Sequence, residues 1–167
     1  MALSKIQAES MNLADTFAFS GTVSGAGKVL QVKQSVIPKE TITTSSASFT
    51  SIGHSLAITP SATSSRILIQ VCGGACHAPY VSQFCLSTIY RGSTNLSSNG
   101  LETIGNSSSG LSLSPHNIVF LDSPSTTNEV TYTPYYRSQP TKPNVYFNLA
   151  GADGTDITIT LTELAPN

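Results

Sequence analysis

Three cysteines and a histidine lie close enough in the sequence to suggest metal chemistry. Cys72, Cys76 and His77 form a C-x3-C-H pattern, and Cys85 follows. Zinc requires four thiolate or imidazole ligands converging in a tetrahedron, and this spacing is not that of a common zinc knuckle. An odd number of cysteines also argues against a disulfide framework. We therefore predict no metal site and interpret the cysteines as small buried thiols, with a structural metal site as the alternative.

Histidines and serines could together supply a base and a nucleophile. His54, His77 and His116 are scattered, however, and are typical of surface residues. No Gly-x-Ser-x-Gly elbow is present, because the stretch from Gly105 to Gly110 is one residue too long. Most carboxylates fall at predicted strand ends or turns, where acids normally face solvent. We therefore predict no catalytic residue and no enzymatic activity. A hydrolytic or carbohydrate-binding sandwich stays as the alternative.

Aromatic residues give the strongest indication of a contact surface. Tyr132, Tyr135 and Tyr136 crowd one predicted strand, with Arg137 next to them. Tyrosine and arginine offer rigid stacking area together with hydrogen bonds, which suits a partner chain or a sugar ring. These four residues are the candidate binding residues, although the interpretation we favour for the tyrosines is that alternate side chains fill the core or a subunit contact.

Two segments rich in small polar residues, 92–114 and 138–144, are predicted to be loops that carry recognition. The first contains Asn95 and Asn106, which we add to the predicted binding residues. Both asparagines also match the glycosylation pattern, a match expected by chance in so serine-rich a chain.

Alternating apolar residues predict about eight strands, with the strand 66–73 at the centre of a sheet. Ile67, Ile69 and Val71 share one of its faces, and the other face is partly apolar as well. Pro134, inside another predicted strand, favours an edge or a bulge at that point. Further strands follow the same pattern, separated by Ser-, Thr-, Gly- and Pro-rich turns, at 29–37, 47–52, 55–58, 80–91, 117–122, 129–136, 144–149 and 156–163. The pattern predicts an all-β, antiparallel, jelly-roll-like sandwich.

Composition limits what such a sandwich could do. The chain has 167 residues with 39% hydrophobic and only 10% charged residues, and serine and threonine make up much of the rest. The net charge of −1 offers no basic surface for nucleic acid. No apolar run approaches the roughly 20 residues of a membrane span, and no secretory signal is visible, so we expect synthesis in a cytoplasm. Sparse charge leaves little repulsion between copies, which favours self-association.

The first 27 residues differ from the rest and are predicted to form an N-terminal arm, with the sandwich spanning 28–167. Glycines at 21, 25 and 27 indicate a flexible joint between the two. An apolar peptide ahead of such a joint is typical of a segment that docks onto another component. Its candidate anchor residues are Leu3, Ile6, Met11 and Leu13.

Several stretches of the sequence resemble tail-fibre and related virion proteins of tailed, marine-type bacteriophages. They are the stretches 1–6, 19–32, 58–69, 120–127 and 157–164. The resemblance implies a non-enzymatic virion component that is made in the host cytoplasm. It would be a compact, trimeric receptor-binding knob, fastened by its N-terminal arm to other virion proteins and contacting a host glycan or protein. Because the chain is short and has no shaft of repeats, a capsid decoration protein is the alternative.

Overall fold

The computed structural model describes residues 28–106, 113–150 and 154–166, and the ordered elements in these ranges are all β-strands. Within them there is no helix of the length and apolar character that a membrane crossing requires. The strands are β1 (Val29–Ile37), β2 (Ile42–Thr44), β3 (Thr50–Ser51), β4 (Leu56–Ile58), β5 (Arg66–His77), β6 (Gln83–Arg91), β7 (Thr94–Asn95), β8 (Glu102–Asn106), β9 (Leu113–Asp122), β10 (Val130–Ser138), β11 (Val145–Asn148) and β12 (Ile157–Leu164).

The strands form two antiparallel sheets. The first sheet runs β1–β12–β5–β9, and β11 and β2 extend it where β5 continues past the end of β12. The second sheet has β10 beside β6, with β3 and β4 outside β10, and β7 and β8 outside β6. The chain crosses repeatedly between the sheets in the order of a double Greek key, which confirms the predicted all-β, jelly-roll-like sandwich.

The twelve strands occupy about eight strand positions, because four positions are split: β1 and β2, β3 and β4, β7 and β8, and β11 and β12. One split separates β3 from β4 and lies opposite Pro134, whose carbonyl oxygen accepts a hydrogen bond from the Ile52 amide at 3.2 Å. The predicted edge at Pro134 is wrong, because β10 has neighbours on both sides, but the predicted irregularity is there: the two residues 133–134 of β10 face the four residues 52–55 between β3 and β4. A proline is tolerated there because its missing N–H faces the interruption between β3 and β4.

The core lies between the sheets and follows the alternation of the sequence. Ile67, Ile69 and Val71 of β5 point inward and are fully buried, between β12 on one side and β9 on the other. This confirms the predicted central strand. Full burial of such a side chain stabilises the fold by about 1.5–3 kcal/mol. The largest buried side chains also include Tyr132, Tyr136, Phe147, Ile157, Ile159 and Leu161.

β5 extends four residues beyond its predicted end by passing through a bulge. The bulge lies at Gly73 and Gly74, which have φ angles of 95° and 75°. A Cβ atom on Gly73 would lie 2.5 Å from the carbonyl oxygen of Asp156. Beyond the bulge β11 replaces β12 as the neighbour of β5, with Tyr146 opposite His77. The glycine pair therefore continues the strand rather than ending it.

Buried polar groups tie the two sheets together. The Arg91 guanidinium of the second sheet donates to both oxygens of Asp122 in the first, at 2.9 and 2.8 Å. The Tyr132 hydroxyl donates to the same carboxylate at 2.7 Å. His116 pairs with Glu102, and its other ring nitrogen lies 2.7 Å from the Phe147 carbonyl oxygen.

The expected exposure of histidines and acids is therefore corrected. His77 and His116 are buried, as are Asp122 and Glu163. Each of the two acids has hydrogen-bonding partners that compensate for the loss of water. None of these partners could be read from the local pattern, because they come from other segments of the chain.

Candidate functional site

The structure separates the predicted tyrosine cluster into two groups. Tyr132 and Tyr136 point into the core and are each 1% exposed, so for these two the core interpretation holds and their rings are not accessible to a ligand. Burial raises the pKa of both phenols, and for Tyr132 the neighbouring Asp122 carboxylate raises it further. The reason is the alternation of β10, which sends every second side chain inward.

Tyr135 and Arg137 lie on the outer side of the second sheet and are half-buried. The Tyr135 ring stacks on Tyr90 with 3.9 Å between centroids, and the Arg137 guanidinium lies 5.3 Å from the Phe49 ring centroid. Each of these two side chains is thus packed against an aromatic neighbour, and binding through Tyr135 and Arg137 stays a prediction.

The predicted recognition segment 92–114 is largely ordered strand where the structure describes it, with β7, β8 and the start of β9 inside it. Asn95 serves the fold: its side-chain oxygen accepts hydrogen bonds from the Thr88 hydroxyl at 2.8 Å and the Ser97 amide at 3.0 Å. Asn106 ends β8, and its backbone pairs with Gln83. The anchor residues Leu3, Ile6, Met11 and Leu13 lie outside the described residues.

The cysteines do not converge on a metal site. Cys76 and Cys85 are buried as predicted, whereas Cys72 is exposed on the outer side of β5, which corrects that part of the prediction. A hydrogen bond with Cys85, together with burial, raises the pKa of the Cys76 thiol. His77 stacks on Tyr146, 5.7 Å away. In the described ranges, no three His, Cys, Asp or Glu side chains cluster in a way that could hold a metal ion.

The outer side of the first sheet carries an extended uncharged surface, which we call the neutral face. It consists of three successive rows across β1, β12, β5 and β9: Val32, Thr162, Leu68 and Leu121; Gln34, Thr160, Gln70 and Val119; and Val36, Thr158, Cys72 and Asn117.

Large aliphatic side chains on the neutral face are open to solvent. Val32, Val36 and Val119 are 58%, 54% and 54% exposed, and Leu121 is 43% exposed. The two strands that flank the face are also edge strands of the sheet within the described ranges. Among the described strands β1 pairs with β12 alone and β9 with β5 alone. Exposed aliphatic rows between two edge strands are features of a surface that contacts another chain.

A cleft of about 290 Å³ lies where β5 ends, and we call it the loop cleft. Pro79 and Tyr80 from the β5–β6 turn line one side, and Pro143, Asn144 and Tyr146 line the other. Tyr80 is 52% exposed, and Asn144 is also open to solvent. The cleft thus presents two phenol rings, two proline rings and one amide, with no charged group among its lining residues.

The buried side chain of Gln83 holds the two sides of the loop cleft together. Its oxygen accepts a hydrogen bond from the Tyr80 amide at 3.1 Å, and its nitrogen donates to the Pro143 carbonyl at 2.7 Å. The Ser138 hydroxyl donates to the same carbonyl oxygen at 2.9 Å. Gln83 is only 1% exposed, so the cleft is formed in advance of any ligand.

The loop cleft and the start of β1 lie at opposite ends of the sandwich. Val29 pairs with Leu164, which in turn pairs with Arg66 at the start of β5. The cleft lies beyond His77, at the other end of that 12-residue strand. At about 3.3 Å per residue the two ends are about 35 Å apart.

Sequence reasoning missed both the neutral face and the loop cleft. For the neutral face a signal existed, because β12 alternates Ile and Thr, and threonine rather than lysine or glutamate faces outward. For the cleft, only segment 138–144 was predicted, and it supplies Pro143 and Asn144. Tyr80 and Tyr146 are 66 positions apart in the sequence, and only the fold brings them together.

Comparisons with known proteins show structural similarity only. No protein-family model matches the chain, and no curated protein matches it. Among solved structures, the chain is similar to the VP2 subviral particle of infectious bursal disease virus, with a TM-score of 0.44 and 12% identity. A structure of the Gx strain of the same virus gives the same two values. In each case the match covers 92% of this chain and 46% of the other, so the chain spans less than half the length of these proteins.

Proposed function

We propose that this protein is a non-enzymatic virion structural component that assembles with copies of itself through the neutral face. The observation that carries the proposal is the neutral face itself, with its exposed aliphatic side chains at Val32, Val36, Val119 and Leu121. Burying such a surface against another chain removes apolar area from water at about 25 cal/mol per Å². A second copy is the partner, because a face without charges meets its own copy without like-charge repulsion.

The jelly-roll fold does not by itself choose between roles, since virion proteins and lectins both use it. The virion assignment rests on the resemblance of several sequence stretches to phage tail-fibre proteins. This resemblance also implies a trimer and attachment through the N-terminus. The two ends of the sandwich suit that arrangement. The arm joins at the start of β1, and the loop cleft opens about 35 Å away, so one end can attach while the other reaches outward.

This polarity favours a compact receptor-binding knob over the alternative, a capsid decoration protein. In a knob, residues 1–27 fasten the protein to other virion components, and the loop end contacts a host glycan or protein. A decoration protein would use the same assembly face but would need no exposed cleft at the far end.

Sedimentation of the full chain tests the assembly. We expect a stable oligomer of three chains at micromolar concentration, and substitution Val119→Glu should shift it to monomer, because every copy then places a charge in the contact. Thr127→Glu is the matched control, since Thr127 is exposed in the β9–β10 turn outside the neutral face, and it should leave the mass unchanged. Circular dichroism checks that both variants fold. A wild-type chain that stays monomeric would overturn the proposal.

A further inference from the structure

We infer that the loop cleft is a binding site for a neutral sugar residue of a glycan. The inference rests on the receptor-binding role proposed above and names its ligand class. It assigns ligand recognition to Tyr80 and Tyr146 instead of the tyrosines of β10. Tyr80 and Tyr146 are far apart in the sequence, and only the fold places both of them at the cleft.

The lining chemistry matches a pyranose ring. One face of a sugar ring carries C–H groups that pack on an aromatic ring, and its edge carries hydroxyls that need donors and acceptors. Tyr80 and Tyr146 supply ring surface and phenol hydroxyls, and the Asn144 side chain supplies both a donor and an acceptor. No lining residue is charged, so nothing in the cleft would pair with a carboxylate or a sulfate.

The size and rigidity of the cleft agree with this ligand. About 290 Å³ is just below the roughly 300–1,000 Å³ of drug-sized small-molecule sites, which suits one sugar ring rather than a long chain. The Gln83 side chain links the backbone amide of Tyr80 to the carbonyl of Pro143, at 3.1 and 2.7 Å, and so fixes the backbone on both sides of the cleft. Stacking of His77 on Tyr146 restricts the Tyr146 phenol ring. Such preorganisation reduces the entropy lost when a ligand binds.

A proline-rich peptide is the other ligand that aromatic grooves commonly hold. Here two of the five lining residues are themselves prolines, and the open side chain of Asn144 supplies polar groups that a proline ring would leave unpaired. The lining therefore favours a hydroxyl-rich ligand.

NMR titration of the full-length protein tests the inference. The probes are glucose, galactose, mannose and N-acetylglucosamine, compared with glucuronic acid and a proline-rich peptide. We expect at least one neutral sugar to shift the amide signals of 79–83 and 144–146, with a Kd in the millimolar range typical of weak single-site contacts. Glucuronic acid and the peptide should leave these signals in place.

Amino-acid substitutions test whether the sugar-induced shifts arise from binding in the loop cleft. Tyr80→Ala should weaken sugar binding at least tenfold, and Asn144→Ala should weaken it as well, because each removes a lining side chain that is open to solvent. Val81→Ala is the matched control, since Val81 is the exposed neighbour of Tyr80 and does not line the cleft. Its affinity should equal that of the wild type.

Three outcomes would overturn the inference: no neutral sugar shifts these signals, the peptide binds in place of the sugar, or Tyr80→Ala binds as tightly as the wild type. A chain that assembles in sedimentation but binds no sugar would refute this inference and leave the assembly role intact. Release of short fragments from a host polysaccharide would instead show turnover and would refute the non-enzymatic role.

Discussion

At the scale of single residues, Glu163 shows how the fold uses a buried charge. Its side chain is fully buried near the C-terminal end of β12, the strand that pairs with β1. The Ser61 amide and hydroxyl donate to one carboxylate oxygen at 2.7 and 2.6 Å, and the Gln31 amide donates to the other at 2.6 Å. Burial by itself would raise the pKa of Glu163, but the hydrogen bonds from Ser61 and Gln31 outweigh it and lower the pKa to about 2.

Because of the Glu163 carboxylate, the free energy of unfolding depends on pH in the acidic range. Because the folded pKa is below the ordinary value of 4.5 for a glutamate, the stabilisation is fully present above pH 4.5 and is lost as pH falls towards 2. We expect Glu163→Gln to lower the free energy of unfolding at pH 7 by an amount on the order of 2 kcal/mol, with the difference shrinking below pH 4.5.

Urea unfolding at a series of pH values measures this dependence. Glu129→Gln is the matched control, because Glu129 is exposed in the turn before β10, and it should track the wild type throughout. A Glu163→Gln variant that differs from the wild type by the same amount at pH 3 and pH 7 would contradict the assignment.

At the scale of elements, the bulge of β5 allows one strand to serve two neighbours. The left-handed φ of Gly73 and its close approach to the Asp156 carbonyl leave no room for a side chain. Past this point β5 pairs with β11, which carries Tyr146 into the loop cleft. The bulge thus connects the core strand to the candidate binding site.

Substitution at the bulge should therefore cost more than backbone strain. We expect Gly73→Ala to destabilise the fold by about 3 kcal/mol, because it adds a steric clash to the roughly 1–2 kcal/mol of a left-handed alanine. Gly53→Ala is the control: its φ of 83° is similar, but a Cβ there would meet nothing within 4 Å. Thermal unfolding of both variants measures the difference, and equal losses would show that the close approach to Asp156 is unimportant.

At the scale of the whole molecule, the two ends of the sandwich differ, with the start of β1 at one end and the loop cleft at the other. We expect deletion of residues 1–27 to leave the fold intact, because the first described strand begins at Val29. The same deletion should abolish attachment to the virion. Circular dichroism reports the fold, and imaging of particles reports attachment. Loss of the β-signal on deletion would show instead that the arm is an integral part of the sandwich.

Local alternation was enough to determine the fold class and the central strand. Period-two spacing in β5 and β12 specifies which side chains face inward, and this property depends only on neighbouring residues. The same rule, applied to β10, indicates that Tyr132 and Tyr136 share a face opposite to Tyr135 and Arg137. It does not state which of the two faces is buried, which is why the sequence left both core filling and ligand contact open for these tyrosines.

Tertiary structure alone decided the rest. It determined which outward-facing rows lie side by side, and so assembled the neutral face from β1, β12, β5 and β9. It also brought Tyr80 to Tyr146 across the loop cleft and placed Asp122 beside Arg91. The physical reason is that strand order and register are set by packing and hydrogen bonds between segments far apart in the chain, whereas alternation within a strand reports only the two faces of that strand.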